Sequence, residues 1–445
     1  MSRTGVKRSR TAAARDVVVT GMGFCLPGDG EPVLTAGQLW DVAAQGRSCL
    51  RRDGVYYGSV DLPRETFDER VPSVAGHFSQ HFTGAHRFGL LSLAVACEDA
   101  GLDLAAGELG DAAVLVGRGG VDTNVGNYLA ILDADPNKIG PHEAMELFVR
   151  GQQGITPSDV ALVQSALIRS SGPSFTVACG CASSAVQIGN ARRMIACGEL
   201  DLAAVTGVDL FSVGVIRNIQ SLLRGVQRAY EAVRVDGMPE LLPSFDRLMR
   251  PYDRRAECVN HGEGSATLIL ESREHAERRG VGGYGRILGH GMTRDGLANP
   301  LASDESGASL VNAVRASLGD DCSLDEIPYI HGGSDGDVVV TAFEANAVKT
   351  LYGSAAADVL VTSQEACFGH NGAPAGCVGV ALTLLMMRYG AVCPTANCEE
   401  PADNLTFDPV PGTHVRPLLF DRALNWNYQI GGVKSAILLG GSDET

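Results

Sequence analysis

The stretch from Ser171 to Ala185 constrains the chain more than any other. It reads Ser171-Gly172-Pro173-Ser174-Phe175-Thr176-Val177-Ala178-Cys179-Gly180-Cys181-Ala182-Ser183-Ser184-Ala185. Phe175 to Ala178 has the composition of a β-strand. Ala185, Ile188, Gly189, Ala191, Arg192 and Ile195 then follow the roughly 3.6-residue period of a helix. Gly180, Ala182, Ser183 and Ser184 surround Cys181 at the junction. A strand that turns sharply into a helix tolerates only small side chains. A helix N-terminus also favours a thiolate and leaves N–H groups free to hold an oxyanion. These residues alone leave two readings open, a nucleophilic cysteine and a buried structural cysteine in a small-residue packing site.

At 445 residues with 45% hydrophobic content, the chain can hold two or more domains around a large core. Its 55 glycines and many alanines suit the close helix-to-sheet packing of an α/β protein. A net charge of −16 argues against nucleic acid or an anionic membrane as the main partner. The 12 cysteines include no Cys-x-x-Cys pair, and Cys179 and Cys181 are too close for a zinc knuckle. No metal site is expected, and the thiols read as reduced, in a cytoplasmic protein. Met1 to Arg15 is basic and polar without an apolar run, so a disordered leader is expected rather than a secretory signal. No apolar stretch reaches the length of a membrane span.

In chain order, Asp16 to Gly23 reads as a buried strand, Leu39 to Gly46 as a helix, Phe88 to Ala100 as a helix and Ala112 to Gly117 as a strand. Asp122 to Gly154 reads as a helical insertion and Ser158 to Ser170 as a helix leading into the cysteine strand. Leu202 to Val208 is a strand. Phe211 to Leu248 is a mixed region with Arg224, Arg228 and Arg234. Strands are expected at Ser265 to Glu271, Tyr284 to Gly291, Pro328 to Ile330, Leu360 to Ser363 and Val433 to Leu439. Helices are expected at Arg273 to Arg279, Ser309 to Leu318, Thr341 to Tyr352 and Ala375 to Met387.

Gly172-Pro173-Ser174, then Cys181 before a helix, then Gly198-Glu199-Leu200-Asp201 and Val205-Thr206-Gly207-Val208-Asp209, resemble the β-ketoacyl synthase (ketosynthase) family. Pro251-Tyr252-Asp253 running to Gly262-Glu263-Gly264 fits the same pattern. The resemblance spans about Asp16 to Leu439. It implies a thiolase-like α/β fold of five layers, α-β-α-β-α, with an N-terminal half at 16–270 and a similar C-terminal half at 271–445. It places Cys181 on the acyl-accepting cysteine and implies no cofactor. It also implies a homodimer and a partner that brings a phosphopantetheine thioester, an acyl carrier protein or a peptidyl carrier domain. Arg192, Arg193, Arg247, Arg250, Arg254 and Arg255 are the candidate basic patch for such an acidic partner.

The family's catalytic set is one cysteine and two histidines, with a lysine and a glutamate in support. His370, in Gly369-His370-Asn371-Gly372-Ala373-Pro374-Ala375-Gly376, matches one histidine. The other falls on Gly333 when Tyr329 and Glu344 to Thr350 are aligned without a gap. His331 lies two residues early, roughly 7 Å along a strand. His331, Ser334 and Asp335 are the candidates to replace it. The family's lysine is Glu365, and its glutamate partner is Glu263, so two carboxylates are expected to face each other and one to hold a proton. Lys434 is a candidate to restore the lost positive charge. Ile430 stands where the family has a gating Phe, with Gly431 and Phe368 beside the substrate path.

This pattern implies acyl transfer to Cys181, with an oxyanion hole at the Cys181 and Ile430 N–H groups. An acid at Glu365 would repel a malonyl carboxylate. It suits removal of an α-proton by Glu365 or Asp335, with His370 stabilising the enolate. An intramolecular aldol would follow, and release as a lactone. The departures at Gly333 and Glu365 are similar to those of salinosporamide-type ketosynthase-like bicyclases, which make a γ-lactam-β-lactone. A decarboxylating ketosynthase with a shifted His331, an inactive chain-length-factor-like partner, and simple acyl transfer or hydrolysis remain open.

Overall fold

The computed structural model of the chain describes residues 14–71, 82–104, 106–119, 125–135, 137–154, 159–222, 245–319 and 322–442. Residues 1–13 of the expected leader lie outside these, as do Arg224, Arg228 and Arg234. Arg15, the last leader residue, is anchored rather than loose. Its guanidinium donates to the Ile195 carbonyl at 3.0 Å and to Asp201 at 2.5 Å.

Ten strands build the fold: β1 (Val17–Cys25), β2 (Ala113–Gly117), β3 (Ser174–Val177), β4 (Leu202–Asp209), β5 (Gly264–Ser272), β6 (Gly285–Arg294), β7 (Tyr329–His331), β8 (Leu360–Thr362), β9 (Arg422–Gln429) and β10 (Val433–Gly441). The first five are ordered β3-β2-β4-β5-β1 and the last five β8-β7-β9-β10-β6. In both sets the first three neighbours run parallel and the last two pairings are antiparallel. The duplication that no sequence repeat reveals is therefore plain in the topology. β1 and β6 meet at Val18 opposite Arg286 and Val19 opposite Gly285, which joins the two sheets.

Alternation along the strands decides the layers, because successive side chains point to opposite faces. On β2, Val114 and Val116 pack outward with α1 (Gly84–Asp99) and α4 (Asp159–Ile168). Ala113 and Leu115 face inward, against α5 (Ser183–Ala196) and α9 (Ala375–Tyr389). On β9, Leu424, Trp426 and Tyr428 pack outward with α6 (Ala308–Leu318) and α7 (Val338–Tyr352). The result is the five-layer α-β-α-β-α architecture. Between α1 and α4 the chain adds α2 (Val125–Asp133) and α3 (Pro141–Gly154), which form the expected helical insertion.

The two central helices nearly touch. A Cβ on Gly376 of α9 would fall 2.5 Å from the Ala185 nitrogen of α5, so only glycine permits this approach. α5 follows β3, and α9 follows β8 through the short helix α8 (Glu365–Phe368). Cys181 and His370 thus stand at corresponding places in the two halves.

Candidate active site

Cys181 sits in a 3₁₀ turn, Gly180–Ala182, between β3 and α5. Gly180 has φ of 51°, and a side chain there would strike Gln429 on β9. The buried Ser183 hydroxyl accepts the Cys179 N–H at 2.8 Å and lies 2.6 Å from the Gly180 carbonyl. These contacts explain the demand for small residues around the cysteine. Burial raises the pKa of the Cys179 thiol, which leaves it the less reactive state of a neutral thiol.

His370 is held by its backbone on both sides. Its N–H donates to the Asn260 carbonyl at 2.7 Å, and its carbonyl accepts from Gly262 at 3.0 Å. Asp209, at the end of β4, takes the Ala373 N–H at 2.7 Å and ties the same loop to the first half. The His370 Nε2 lies 2.6 Å from the Cys181 Sγ. Its Nδ1 lies 3.1 Å from Glu365 Oε2 and 3.7 Å from Asp335 Oδ2. A carboxylate only accepts, so Nδ1 carries a proton toward Glu365, and Nε2 is the nitrogen that faces the cysteine.

This geometry corrects the expected roles. The imidazole, not Glu365 or Asp335, faces the thiol, and both carboxylates stand behind it. Burial alone would lower the His370 pKa. The neighbouring Cys181 and Glu365 outweigh burial and hold it well above the ordinary histidine value. Asp335 is raised by burial, opposed by His370 and reinforced by Glu365. The carboxylate paired with Glu365 across the ring is thus Asp335. Glu263, the expected partner, accepts the Val60 N–H at 3.0 Å.

The place of the second family histidine is filled by other side chains. A Cβ on Gly333 would lie 3.0 Å from the Tyr428 ring. Tyr428 and Tyr252 donate their hydroxyls to the buried Glu344 at 2.7 and 2.6 Å, and the Gly333 N–H donates to it at 2.8 Å. Burial pushes Glu344 up to about 7 despite these donors. Lys434 belongs to the same region. It is fully buried, 3.5 Å from the Phe343 ring centroid and 3.5 Å from Asp295. Its charge therefore answers Asp295, not Glu365. Ser334 is no replacement histidine either, since its hydroxyl lies 3.2 Å from Thr341 on α7. His331 points toward α9, where a Cβ on Gly379 would come within 3.0 Å of it. Burial lowers its pKa to about 4, opposed by Gln364 beside it, and neither buried ring nitrogen makes a hydrogen bond of good geometry among the described residues. It lines a cavity of about 10 Å³ with Gln364, Glu365, Phe368 and Asn371, room for one water.

At the mouth, the hairpin between β9 and β10 lies against the cysteine turn. Ile430 at its tip is 75% exposed. Gly431 has φ of 89°, and its carbonyl accepts from Arg294 at 3.0 Å. Phe368 is 1% exposed and belongs to the central core, so it is no gate. The expected basic patch is largely spent on internal pairs. Arg192 donates to β6 carbonyls, Arg247 pairs with Glu257, and Arg250 and Arg255 pair with Glu399.

One residue near the site escaped the sequence reading. His261 pairs with His370 through a parallel bridge, and their ring centroids are 6.2 Å apart. It stacks on Phe211 at 4.6 Å and tilts against Phe245 at 5.4 Å. A single histidine before Gly262-Glu263-Gly264 has no spacing partner that would mark it.

Comparison with known proteins agrees with this architecture. The sequence family described as "Beta-ketoacyl synthase, N-terminal domain" matches residues 14–276, and "Beta-ketoacyl synthase, C-terminal domain" matches 284–399. A "3-oxoacyl-[acyl-carrier-protein] synthase 2" of Coxiella burnetii is 25% identical over 96% of this chain and 98% of its own. A "Putative polyketide beta-ketoacyl synthase 1" of Streptomyces halstedii is 26% identical over 97% and 99%. The solved structure "The ishigamide ketosynthase/chain length factor" has a TM-score of 0.77 at 23% identity, over 96% of this chain and 100% of that one, which is a likeness of fold. With a cysteine turn, a facing histidine and family models matched over most of the chain, this chain belongs to the β-ketoacyl synthase family.

Proposed function

We propose that this protein accepts an acyl chain from a carrier-protein thioester onto Cys181 and closes a ring within it by aldol addition. Release is as a lactone of the γ-lactam-β-lactone type, in polyketide or nonribosomal peptide biosynthesis. The observation that carries this reading is the pair of carboxylates, Glu365 and Asp335, on the Nδ1 side of His370. They make the imidazole a base and give the pocket a negative field that opposes a malonyl carboxylate.

The Cys181 thiol gives its proton to His370 Nε2, and its sulfur attacks the thioester carbonyl. The pantetheine thiolate leaves and takes that proton. The Cys181 and Ile430 N–H groups, on the turn and the adjoining hairpin, are the donors this reading assigns to the oxyanion. The neutral His370 then removes an α-proton, and its imidazolium is stabilised by Glu365 and Asp335. The enolate attacks a ketone or aldehyde on the same chain and leaves an alkoxide. The alkoxide attacks the Cys181 thioester, and the departing thiolate recovers its proton from His370. No cofactor or second substrate enters.

The carrier is the expected delivery partner, as in the name of the Coxiella relative. A second subunit is supported by the exposed Phe175 on the edge strand β3 and by exposed Leu132, Met145 and Phe148 on α2 and α3. The test is intact-mass analysis with a carrier-bound β-keto thioester bearing a pendant aldehyde. An adduct on the wild type but not on Cys181→Ala, followed by a cyclic product, is expected. Loading followed by condensation with malonyl carrier protein and loss of CO2 would favour the decarboxylating synthase. Absence of any adduct would favour an inactive partner subunit.

A further inference from the structure

With His370 cast as the base, the site needs another group to hold the oxygen on which the enolate charge collects. We propose that His261 is that group: a neutral second imidazole that donates a hydrogen bond to the enolate, and then alkoxide, oxygen of the chain on Cys181. The inference rests on the reading above only in requiring such an oxygen on a Cys181-bound chain.

The position supports the role. His261 and His370 are bridge partners on adjoining segments, with rings 6.2 Å apart and inclined at 57°. His370 in turn is 2.6 Å from the thiol. His261 is only partly exposed, and Phe211 and Phe245 hold its ring in place. Its Nδ1 is buried without a hydrogen bond of good geometry. The His370 carbonyl, the backbone group beside the ring, already accepts the Gly262 N–H at 3.0 Å. A proton on Nδ1 would be a poorly met buried donor. The neutral ring therefore favours its proton on Nε2, where it can be donated.

Chemistry also favours a neutral donor here. Burial first, and the neighbouring His370 second, press the His261 pKa down to about 3. Two imidazoles this close do not both take a proton, so His370 cycles its charge while His261 stays neutral. A neutral donor strengthens as the oxygen becomes negative, which is a gain confined to the transition state.

The test compares His261→Phe with His261→Gln. Phenylalanine completes the aromatic sandwich without a donor, and glutamine keeps an N–H. Loading of Cys181 by the carrier-bound β-keto thioester is followed by intact mass, and ring closure by product formation from the loaded enzyme. Both variants are expected to load within about threefold of the wild type. Product formation should fall at least 100-fold in His261→Phe and no more than about tenfold in His261→Gln.

Wild-type product formation in His261→Phe would overturn the proposal. So would an equal loss in both variants, or a loss in loading as large as the loss in product. If His261→Phe does not fold, His261→Met stands in its place with the same criteria. If the wild type condenses with malonyl carrier protein instead of cyclising, the functional reading fails alone. The same variants then test His261 on that enolate. A wild type that loads but forms neither product overturns both.

Discussion

Replacing Glu365 by glutamine removes one negative charge from the back of His370 while keeping a side chain of the same shape. The carboxylate oxygen is 3.1 Å from Nδ1. At an effective dielectric constant of about 20, that separation is worth about 5 kcal/mol to an imidazolium. The glutamine amide oxygen still accepts the Nδ1–H, which retains about 1 kcal/mol. Asp335, at 3.7 Å, retains its own attraction. The net loss is about 2–4 kcal/mol in each step where His370 gains a proton, or about 30- to 1,000-fold in rate.

The pH profile adds a sign. Burial opposes the His370 proton, and Cys181 and Glu365 favour it. Without Glu365 the pKa falls, so the low-pH limb of ring closure moves to lower pH while the plateau drops. Single-turnover product formation from pre-loaded enzyme, measured across pH, reads both. An unchanged plateau with an unchanged limb would refute the assignment of Glu365 as the partner of His370.

Glu365→Lys should abolish ring closure, by at least 1,000-fold, because an ammonium repels the imidazolium. It should also permit release of CO2 from malonyl carrier protein, which a CO2 assay detects. Gly333→His should destabilise the protein by about 1–3 kcal/mol through overlap with Tyr428, seen as a lower urea midpoint. An unchanged midpoint would mean that space for a second imidazole survives there. Glu344 has a folded pKa of about 7 against 4.5 unperturbed, so the folded state binds its proton more tightly. Stability relative to Glu344→Gln should therefore fall by about 3 kcal/mol as pH rises from about 4.5 to 7, with no further change above. Urea unfolding of both proteins at a series of pH values checks the slope.

Most of the fold was legible because its strands and helices carry strong local patterns and because the cysteine turn has a matching resemblance. The strand Arg422–Gln429 was missed, although it alternates. Leu424, Trp426 and Tyr428 face the outer core, while Asn425, Asn427 and Gln429 face the centre. Three buried or half-buried polar residues on one face hide a central strand from a reader looking for apolar runs. The cysteine and His370 were legible from motifs. The roles behind them were not, because alignment gives position along the chain and not distance. Glu263 and Glu365 seemed paired by family position, yet Asp335 is the acid beside Glu365. His261 was invisible because its meaning comes from Phe211, Phe245 and His370, which only the fold assembles.

The way the two halves meet explains how such changes can be tolerated. The thiol and His370 are set by α5 and α9, which cross at Gly376 in the central layer, and by backbone bonds to Asn260, Gly262 and Asp209. None of these supports involves the side chain at 333 or 365. The facing pair of Cys181 and His370 therefore survives loss of the second family histidine and inversion of charge behind the first. The filled space at Gly333 and the carboxylates behind His370 are separate alterations on an intact frame. On the proposed reading, the first removes a donor from one side of the substrate, and the second turns the remaining imidazole from a donor into a base. On the same reading, a site altered in both ways is poorly matched to the single free carboxylate of a malonyl thioester. That reading expects instead a chain that supplies its own acidic C–H and its own carbonyl.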